Sequence, residues 1–366
     1  MINESRGPQT WREYDFVLQV FLTMVLVLGA TAVFSAQGGL HAQFLHQVLY
    51  IGMGLLVLLY FSLTDYRSLG RLWFLTYVVM VLLLLMVLKA GHAVLGAQRW
   101  IYLGFFELQV SEIAKLMIIV ILARFFWLRR QHLDGPVTFF LGLALLAPPV
   151  ALILVQPDLG TALVFIAVFY GMAFMAGVGK RYLVGSLLIG LAALPTAVGY
   201  LHGYQQKRLI TFLDPGSDPQ GAGYNILQAQ IAVGSGGFFG KGFLTGTQGQ
   251  LGFLPSRVTD FIFAIFSEEW GFLGAFVLLL IFMAVLYRLM RAVHFARDGF
   301  GALLAFGVAT MIFFQVVVNV GMNLGVMPVV GIPLPFVSYG GSSMLTNMAA
   351  VGIVQSVLIH RKDMRF

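Results

Sequence analysis

Residues 17–36 read VLQVFLTMVLVLGATAVFSA, without one ionisable side chain. The hydrocarbon core of a membrane is about 30 Å thick and needs about 20 helical residues to cross it. The segment therefore predicts a transmembrane helix. It is too long for the apolar core of a signal peptide and leads into no soluble domain, so we expect the span to be retained.

Apolar segments of similar length recur along the chain between clusters of turn-forming or charged residues. They predict ten spans, at residues 17–36, 44–63, 73–90, 106–127, 138–155, 159–177, 182–201, 261–287, 302–324 and 342–359. Composition agrees: 59% of the 366 residues are hydrophobic and only 10% are charged, against about 25% in a soluble domain. No cysteine is present, which excludes disulfides, thiolate zinc sites and cysteine nucleophiles.

The distribution of basic residues predicts the orientation, because cytoplasmic loops carry an excess of Lys and Arg. Most of the 22 basic residues lie on one set of alternate loops. An even number of spans puts both termini on that side. The sequence thus predicts an all-α polytopic membrane protein: one transmembrane domain over residues 1–366, ten transmembrane helices, both termini cytoplasmic, and one large extracellular loop, about 202–260, between the seventh and eighth spans.

The predicted external loop is rich in glycine and polar residues, and structureless loops of this length are usually functional. Within it, residues 224–233 predict a short amphipathic helix, and residues 234–242 (GSGGFFGKG) predict a flexible backbone near the membrane surface. This glycine-rich stretch is only superficially like a nucleotide-binding loop. Ser235 stands where the first P-loop glycine belongs, and Gly242 where Ser or Thr belongs.

Ionisable side chains within spans are costly to insert and are functional candidates for that reason. Glu112 and Lys115 lie three residues apart on one helical face, where they can pair; the alternative is an ion pair that only fixes helix packing. Asp158 follows Gln156 and Pro157 at the break between two spans. It could serve a site, cap the helix that begins at Leu159, or do both.

Asp260 stands at the end of the long loop, immediately before an apolar run. It too is a candidate site residue or a helix N-cap. Glu268 and Glu269 follow on the same span and are interpreted as packing or pairing residues. Asn319, Asn323 and Asn347, in the last two spans, are expected to donate hydrogen bonds between helices.

Under the predicted topology, three carboxylates, Glu112, Asp158 and Asp260, fall near the external ends of their helices. The external segments add basic side chains, and such a set suits a pyrophosphate or another anionic head group, with a carboxylate available as base. The alternative is a solvated basic loop. The basic residues are Arg99, Lys207, Arg208, Lys241 and Arg257.

Several motifs in order resemble the SEDS family (shape, elongation, division, sporulation), the polytopic peptidoglycan glycosyltransferases of bacteria. The match runs nearly end to end, and residues 246–255 resemble the elongation branch more than the division branch. The motifs are RWI at 99–101, QVSEIAK at 109–115, QPDLGT at 156–161, FLDP at 212–215, the glycine-rich stretch at 234–242, TDFIFA at 259–264 and PLPFVSYGGS at 333–342.

Two parts of the sequence depart from the family pattern. Val110 replaces the usual proline, and Ser256, Arg257 and Val258 occupy the stretch where the family usually carries Glu and His. Any role of those two side chains is not carried over to this chain.

The resemblance implies polymerisation of lipid II at the outer face of the bacterial cytoplasmic membrane, with Asp260 essential. A sugar 4-hydroxyl would attack the anomeric carbon of the growing strand and expel undecaprenyl pyrophosphate with inversion. We assign Asp260 as the base, Arg208, Lys241 and Arg99 to the pyrophosphate, and Glu112, Lys115 and Asp158 to positioning, with Lys207 among the candidate substrate-binding residues. A divalent cation, Mg or Mn, could share the leaving-group role.

The partners implied by the resemblance are lipid II, the nascent glycan strand, membrane lipids and a class B penicillin-binding protein that crosslinks the strands; nucleic acid is not among them. Two alternatives remain open. One is a flippase that moves lipid II across the membrane, although a flippase needs polar groups along its whole path. The other is a non-catalytic scaffold for a transpeptidase.

Overall fold

The computed structural model describes residues 13–90, 92–94, 97–102, 107–199, 203–214, 218 and 221–361. Helices dominate this part of the chain. They are α1 (Phe16–Ala36), α2 (Ala42–Leu63), α3 (Arg67–Arg71), α4 (Trp73–Ala90), α5 (Val110–Leu128), α6 (Pro136–Val155), α7 (Leu159–Ala176), α8 (Lys180–Val198), α9 (Gly203–Leu213), α10 (Ala222–Ser235), α11 (Thr247–Gln250), α12 (Ile262–Phe295), α13 (Gly299–Asn323) and α14 (Gly341–Ile359).

A helix lies at each of the ten segments predicted to span the membrane. Within the described ranges, seven helices are long and apolar enough to cross a membrane: α1, α2, α6, α7, α12, α13 and α14. The chain is therefore a largely helical, polytopic membrane protein, and the crossing of all ten segments stays a prediction. The amphipathic helix expected at residues 224–233 is confirmed as α10, whereas α9 was not predicted.

The helical class is confirmed, but one short part of the chain forms strands that were not predicted. Three short strands, β1 (His92–Val94), β2 (Ala97–Tyr102) and β3 (Glu107–Gln109), form an antiparallel sheet in that order. The fourth predicted span was placed at residues 106–127, but its helix α5 begins only at Val110, because residues 107–109 pair with β2. Strand pairing satisfies the backbone polar groups of this segment in place of helical hydrogen bonds.

The core of the bundle is α14, which is buried along almost its whole length and packs against α2, α5, α12 and α13. Small residues allow the close contact with α2: a Cβ atom added at Gly352 would lie 2.6 Å from the carbonyl oxygen of Leu58. Lipid tails are as apolar as the helix surfaces, so the hydrophobic effect does not drive helices together in a membrane. Close packing through small residues commonly takes its place. Large apolar side chains such as Leu56, Phe74, Ile189 and Met283 point outward, as expected of a surface that contacts lipid.

Helix α12 is broken at Gly271, which has a φ of 66° and a ψ of −166°. The break removes two backbone hydrogen bonds of the helix, which would join the amides of Phe272 and Leu273 to the carbonyls of Glu268 and Glu269. The glycine-rich segment, residues 236–242, replaces both. The amides of Lys241 and Gly242 donate to the carbonyls of Glu268 and Glu269, each at 3.0 Å, and the amides of Phe272 and Leu273 donate to the carbonyls of Gly237 and Phe238, at 2.9 and 3.1 Å.

The expectation of a flexible backbone at residues 234–242 was therefore wrong. Non-helical backbone inside a membrane protein needs hydrogen-bond partners from elsewhere in the protein, and the glycine-rich segment supplies them. Two backbones can approach this closely only where side chains are absent. A Cβ atom at Gly240 or at Gly271 would overlap the backbone of the other segment.

Candidate active site

Asp260 lies at the start of α12, in a turn whose backbone is held by side chains from α13. The amides of Asn319 and Asn323 donate to the carbonyl oxygen of Asp260 at 3.1 and 3.0 Å, and the amide of Asn319 also donates to the carbonyl of Ile332 at 2.8 Å. The predicted role as donors between segments is confirmed for Asn319 and Asn323, whereas Asn347 donates to the hydroxyl of Ser343 within its own helix, α14, at 3.2 Å. The N-cap position of α12 is occupied by Phe261, so the alternative reading of Asp260 as the N-cap is not supported.

A second support for the same turn comes from the irregular segment before α14. The hydroxyl of Ser338 donates to the carbonyl of Thr259 at 2.6 Å, and the amide of Tyr339 donates to the carbonyl of Val258 at 2.8 Å. Burial, with the neighbouring Tyr50 and Glu107, raises the pKa of Tyr339 to about 12. The Tyr339 hydroxyl is thus neutral at pH 7 and cannot serve as a base.

Arg208 and Asp260 meet at Gly331. A Cβ atom placed on Gly331 would lie 3.6 Å from a terminal guanidinium nitrogen of Arg208 and 3.7 Å from a carboxylate oxygen of Asp260. The same nitrogen of Arg208 donates to the carbonyl of Val329 at 3.1 Å. Both side chains are half-buried, so a cation and a carboxylate remain accessible around one small backbone position.

A polar cluster lies on the other side of residues 331–333. The Nζ atom of Lys115 is 2.7 Å from Glu112, and both side chains are almost fully buried. The carboxylate of Asp158 accepts hydrogen bonds from the hydroxyl of Ser111 at 3.1 Å, and from the amide and hydroxyl of Thr161 at 3.1 and 2.9 Å. The predicted pairing of Glu112 with Lys115 and the predicted N-cap role of Asp158 are both confirmed.

A cavity of about 30 Å³ joins this polar cluster to the segment that carries Gly331. It is lined by Gln109, Glu112, Lys115 and Thr161 on one side and by Gly331, Ile332 and Pro333 on the other. Such a volume accommodates a water molecule. The structure therefore brings Glu112, Lys115, Asp158, Arg208 and Asp260 to one end of the bundle, around residues 331–333. The sequence motif at residues 333–342 includes Pro333 but not Gly331, and Gly331 was missed because it has no functional group of its own.

Lys241 lies apart from this centre, in an ion pair with Glu268. Its Nζ atom is 2.6 Å from the Glu268 carboxylate and 3.0 Å from the hydroxyl of Thr247. Glu268, fully buried, also accepts the amides of Thr247 and Gln248 at 2.9 and 3.1 Å. Glu269 accepts the hydroxyl of Ser35 on α1. The interpretation of Glu268 and Glu269 as pairing residues is confirmed, whereas a role for Lys241 at a leaving group stays a prediction.

We expect Glu268→Ala to lower the free energy of unfolding by about 3 kcal/mol or more, because it leaves Lys241 and two loop amides without their acceptor. Thermal unfolding of the purified protein measures this effect. Glu268→Gln retains an acceptor for the amides and should lose clearly less. Equal stability of wild type and Glu268→Ala would show that the contacts of the Glu268 carboxylate do not stabilise the folded protein.

Two of the predicted cations, Arg99 and Lys207, have side chains outside the described residues. Their backbones lie in β2 and α9. The residue after Arg99, Trp100, pairs with Gln109, which lines the small cavity. Arg257 donates to the carbonyl of Gly249 and so fixes the loop before α12.

No group of three or more metal-binding side chains occurs in the described part of the chain. A magnesium ion is commonly held by one or two carboxylates together with substrate phosphates and waters. The residues around Asp260 fit this kind of site only if a phosphate-bearing substrate brings further oxygen ligands.

The fold and the site define a polytopic membrane protein with a polar site at one end of its helix bundle. The site combines the buried pair of Glu112 and Lys115 and the helix-capping Asp158 with the half-buried side chains of Arg208 and Asp260. The chain belongs to the FtsW/RodA/SpoVE family of cell cycle proteins, whose model matches residues 13–363. The resemblance to SEDS proteins is thereby confirmed.

Curated relatives and solved structures place the resemblance in the elongation branch, called RodA or MrdB. The chain is 38% identical to the peptidoglycan glycosyltransferase MrdB of Escherichia coli (strain K12), over 95% of this chain and 94% of the relative. It is 32% identical to the peptidoglycan glycosyltransferase RodA of Treponema pallidum, over 94% of this chain and 97% of the relative.

Two solved structures share the fold. One belongs to a study of the coordination of polymerization and crosslinking by a peptidoglycan synthase complex; its matching chain has a TM-score of 0.84 and 33% identity and covers 95% of this chain and 98% of its own length. The rod shape determining protein RodA of Thermus thermophilus has a TM-score of 0.73 and 31% identity, with 97% of this chain and 99% of RodA covered.

Proposed function

We propose that this protein is a peptidoglycan glycosyltransferase that polymerises lipid II during cell elongation. The observation that carries the proposal is the convergence of the Asp260 carboxylate and the Arg208 guanidinium on Gly331. A base and a cation at one accessible position are what transfer to a sugar hydroxyl with loss of a pyrophosphate requires. The names of the curated relatives support the same reaction.

In the proposed reaction, the 4-hydroxyl of the acceptor lipid II attacks the anomeric carbon of the growing strand. A carbon–oxygen bond to the acceptor forms while the bond to undecaprenyl pyrophosphate breaks, with inversion at the anomeric carbon. Asp260 takes the hydroxyl proton. Arg208 stabilises the charge that develops on the departing pyrophosphate, because guanidinium groups bind phosphate oxygens in a bidentate manner.

The buried cluster of Glu112, Lys115 and Asp158 is assigned to positioning this site, next to residues 331–333. Its ion pair and the capping bonds of Asp158 fix the starts of α5 and α7 against residues 331–333. A charged pair with so little exposure is poorly placed to exchange protons with bulk solvent. We therefore assign it to holding the backbone of Gly331 next to Arg208 and Asp260.

An apolar groove of about 340 Å³ runs along α12 from near Asp260 toward the middle of the bundle. One wall of the groove is formed by α12 from Phe263 to Leu279. The other walls are formed by Gly234 and Gly237, at and just after the end of α10, and by Val320 and Leu324, at and just after the end of α13. Phe263 to Leu279 are seventeen residues, which extend about 24 Å at a helical rise of about 1.5 Å per residue, with the break at Gly271 within this length. We assign this groove to a polyprenyl tail, whose pyrophosphate end would then lie beside Asp260.

The proposed topology has ten transmembrane helices in the bacterial cytoplasmic membrane, both termini in the cytoplasm and the large loop outside, as one SEDS-type transmembrane domain. The basic loops favour this orientation. Asp260 then faces outward, where lipid-linked disaccharides are polymerised. A class B penicillin-binding protein is the proposed partner, and the similarity to a chain from a peptidoglycan synthase complex supports it.

The decisive experiment supplies labelled lipid II to the purified protein in liposomes, with and without its penicillin-binding partner. A ladder of long glycans on a gel identifies a polymerase. Movement of intact lipid II across the bilayer without any ladder identifies the flippase, and neither activity points to a scaffold. In the described residues, ionisable groups near the substrate end of the bundle favour the polymerase over a flippase.

We expect Gly331→Ala to reduce polymerisation by about tenfold or more. Its methyl group would contact both Arg208 and Asp260 and fill space at the proposed site, and the φ of +74° adds strain. Gly38→Ala is the matched control, since Gly38 has the same φ of +74° but nothing within 4 Å of the added atom. Glycan ladders from both variants measure the effect, and equal activity would remove Gly331 from the site.

A divalent cation, Mg or Mn, is proposed to enter with the pyrophosphate and to share its charge with Arg208. We expect EDTA to abolish polymerisation and added Mg to restore it. If Asp260 contributes a ligand, Asp260→Glu should need more Mg for half-maximal activity. Full polymerisation in EDTA would leave Arg208 as the source of positive charge.

A further inference from the structure

A second pocket, of about 250 Å³, lies at the end of the bundle opposite Asp260. It is formed by the residues before and at the start of α1, by the last turns of α12 and by the end of α14. In the proposed orientation, this end faces the cytoplasm. Nothing in the proposed reaction uses it.

The pocket is rich in guanidinium groups, and only part of their charge is balanced. Arg288 makes a bidentate pair with Asp15, at 2.8 and 2.5 Å, and Arg361 pairs with Glu13. The third, Arg291, is exposed and forms no ion pair with any described residue. Among the described residues that line it, the pocket therefore carries three guanidinium groups and only two carboxylates.

Two of these guanidinium groups are held around a single aromatic ring. The central carbon atoms of Arg291 and Arg361 lie 5.2 and 5.6 Å from the centre of the Phe295 ring. The ring attracts each cation, but the arrangement also brings two like charges into one small volume. An anion between them offsets this repulsion, and the planar donor fork of arginine matches a phosphate group.

One side of the pocket belongs to the lipid-facing surface. Phe16 and Val17, the first residues of α1, are 58% and 48% exposed, and Leu358 of α14 forms part of the wall. A free phosphate ion gains nothing from such an apolar edge. A phospholipid can place its phosphate against the arginines and its glycerol and upper acyl chains against Phe16 and Val17.

We propose that this pocket binds the headgroup of an anionic phospholipid of the cytoplasmic leaflet. Arg291 and Arg361, which both contact the Phe295 ring, bind the phosphate, and the pairs with Asp15 and Glu13 hold Arg288 and Arg361 in place. Anionic lipids concentrate at the cytoplasmic surface and attract basic residues there. The site thereby joins α1, α12 and α14 through one lipid.

The test measures equilibrium binding of fluorescent phosphatidylglycerol, and of fluorescent phosphatidylcholine, to the immobilised full-length protein in detergent. Arg291→Gln removes the unpaired charge without breaking an ion pair. Arg130→Gln is the matched control, because Arg130 is also exposed and stacks on an aromatic ring, Trp127, at 4.4 Å, away from the pocket. Millimolar inorganic phosphate is added in a parallel series as competitor.

We expect wild type to prefer phosphatidylglycerol, Arg291→Gln to bind it about fivefold more weakly, and Arg130→Gln to match wild type, with unchanged thermal unfolding of both variants. Inorganic phosphate should not displace the lipid. Equal binding by Arg291→Gln and wild type, equal losses in both variants, or displacement by inorganic phosphate would each overturn the proposal. None of these readouts depends on glycan polymerisation.

Discussion

Asp260→Asn is expected to reduce the polymerisation of lipid II by about 100-fold or more, since a positioned general base contributes roughly 10²- to 10⁴-fold to a reaction rate. The change converts the carboxylate into a neutral amide, with an NH2 group in place of one oxygen, and so removes the proton acceptor. It leaves the backbone carbonyl of Asp260 in place, which is the atom that Asn319 and Asn323 hold. The variant should therefore fold and insert as wild type does.

The measurement is a time course of glycan ladders from wild type and Asp260→Asn, at equal protein levels and with the penicillin-binding partner present. Asp134→Asn is the matched control, since it makes the same chemical change at an exposed position between α5 and α6 that belongs to none of the motifs. It should retain wild-type activity. Wild-type ladders from Asp260→Asn would remove this carboxylate from the chemistry, and loss in both variants would point to a general effect of the substitution on the protein.

The spans were predictable from the sequence because burial in lipid demands long apolar runs, and each predicted segment does carry a helix. The three-stranded sheet was not. Its strands are three to six residues long and adjoin the ends of two spans, where hydropathy alone cannot separate a strand from the start of a helix. Strand pairing depends on partners, and the periodicity of so short a segment does not reveal them.

The candidate site was predictable to the extent that ionisable groups in spans are rare and costly. That argument singled out Glu112, Lys115, Asp158 and Asp260. It could not find Gly331, whose contribution is the absence of a side chain next to both Arg208 and Asp260. Nor could it foresee that Lys241 pairs with Glu268, because that contact depends on how the glycine-rich segment folds back onto α12.

The glycine-rich segment and the break in α12 form one unit, and substitutions there should have the largest effect on stability. We expect Gly240→Ala to lower the free energy of unfolding by about 3 kcal/mol or more. Gly240 has a φ of +83°, which costs an L-residue about 1 to 2 kcal/mol, and its added Cβ atom would overlap the backbone of Glu269 and Gly271. Neither backbone can move without losing the hydrogen bonds that bridge the break.

Gly237→Ala separates the two contributions, because Gly237 also has a positive φ, +57°, but nothing within 4 Å of an added Cβ atom. It should cost only the backbone strain, so the difference between the two variants measures the overlap. Gly271→Ala tests the break itself. If α12 were continuous, alanine would stabilise it by roughly 0.5 to 1 kcal/mol relative to glycine. With the break present, the φ of 66° and the contact with Gly240 make the same change destabilising. The sign of the shift in thermal unfolding therefore decides between a continuous helix and one completed by the loop.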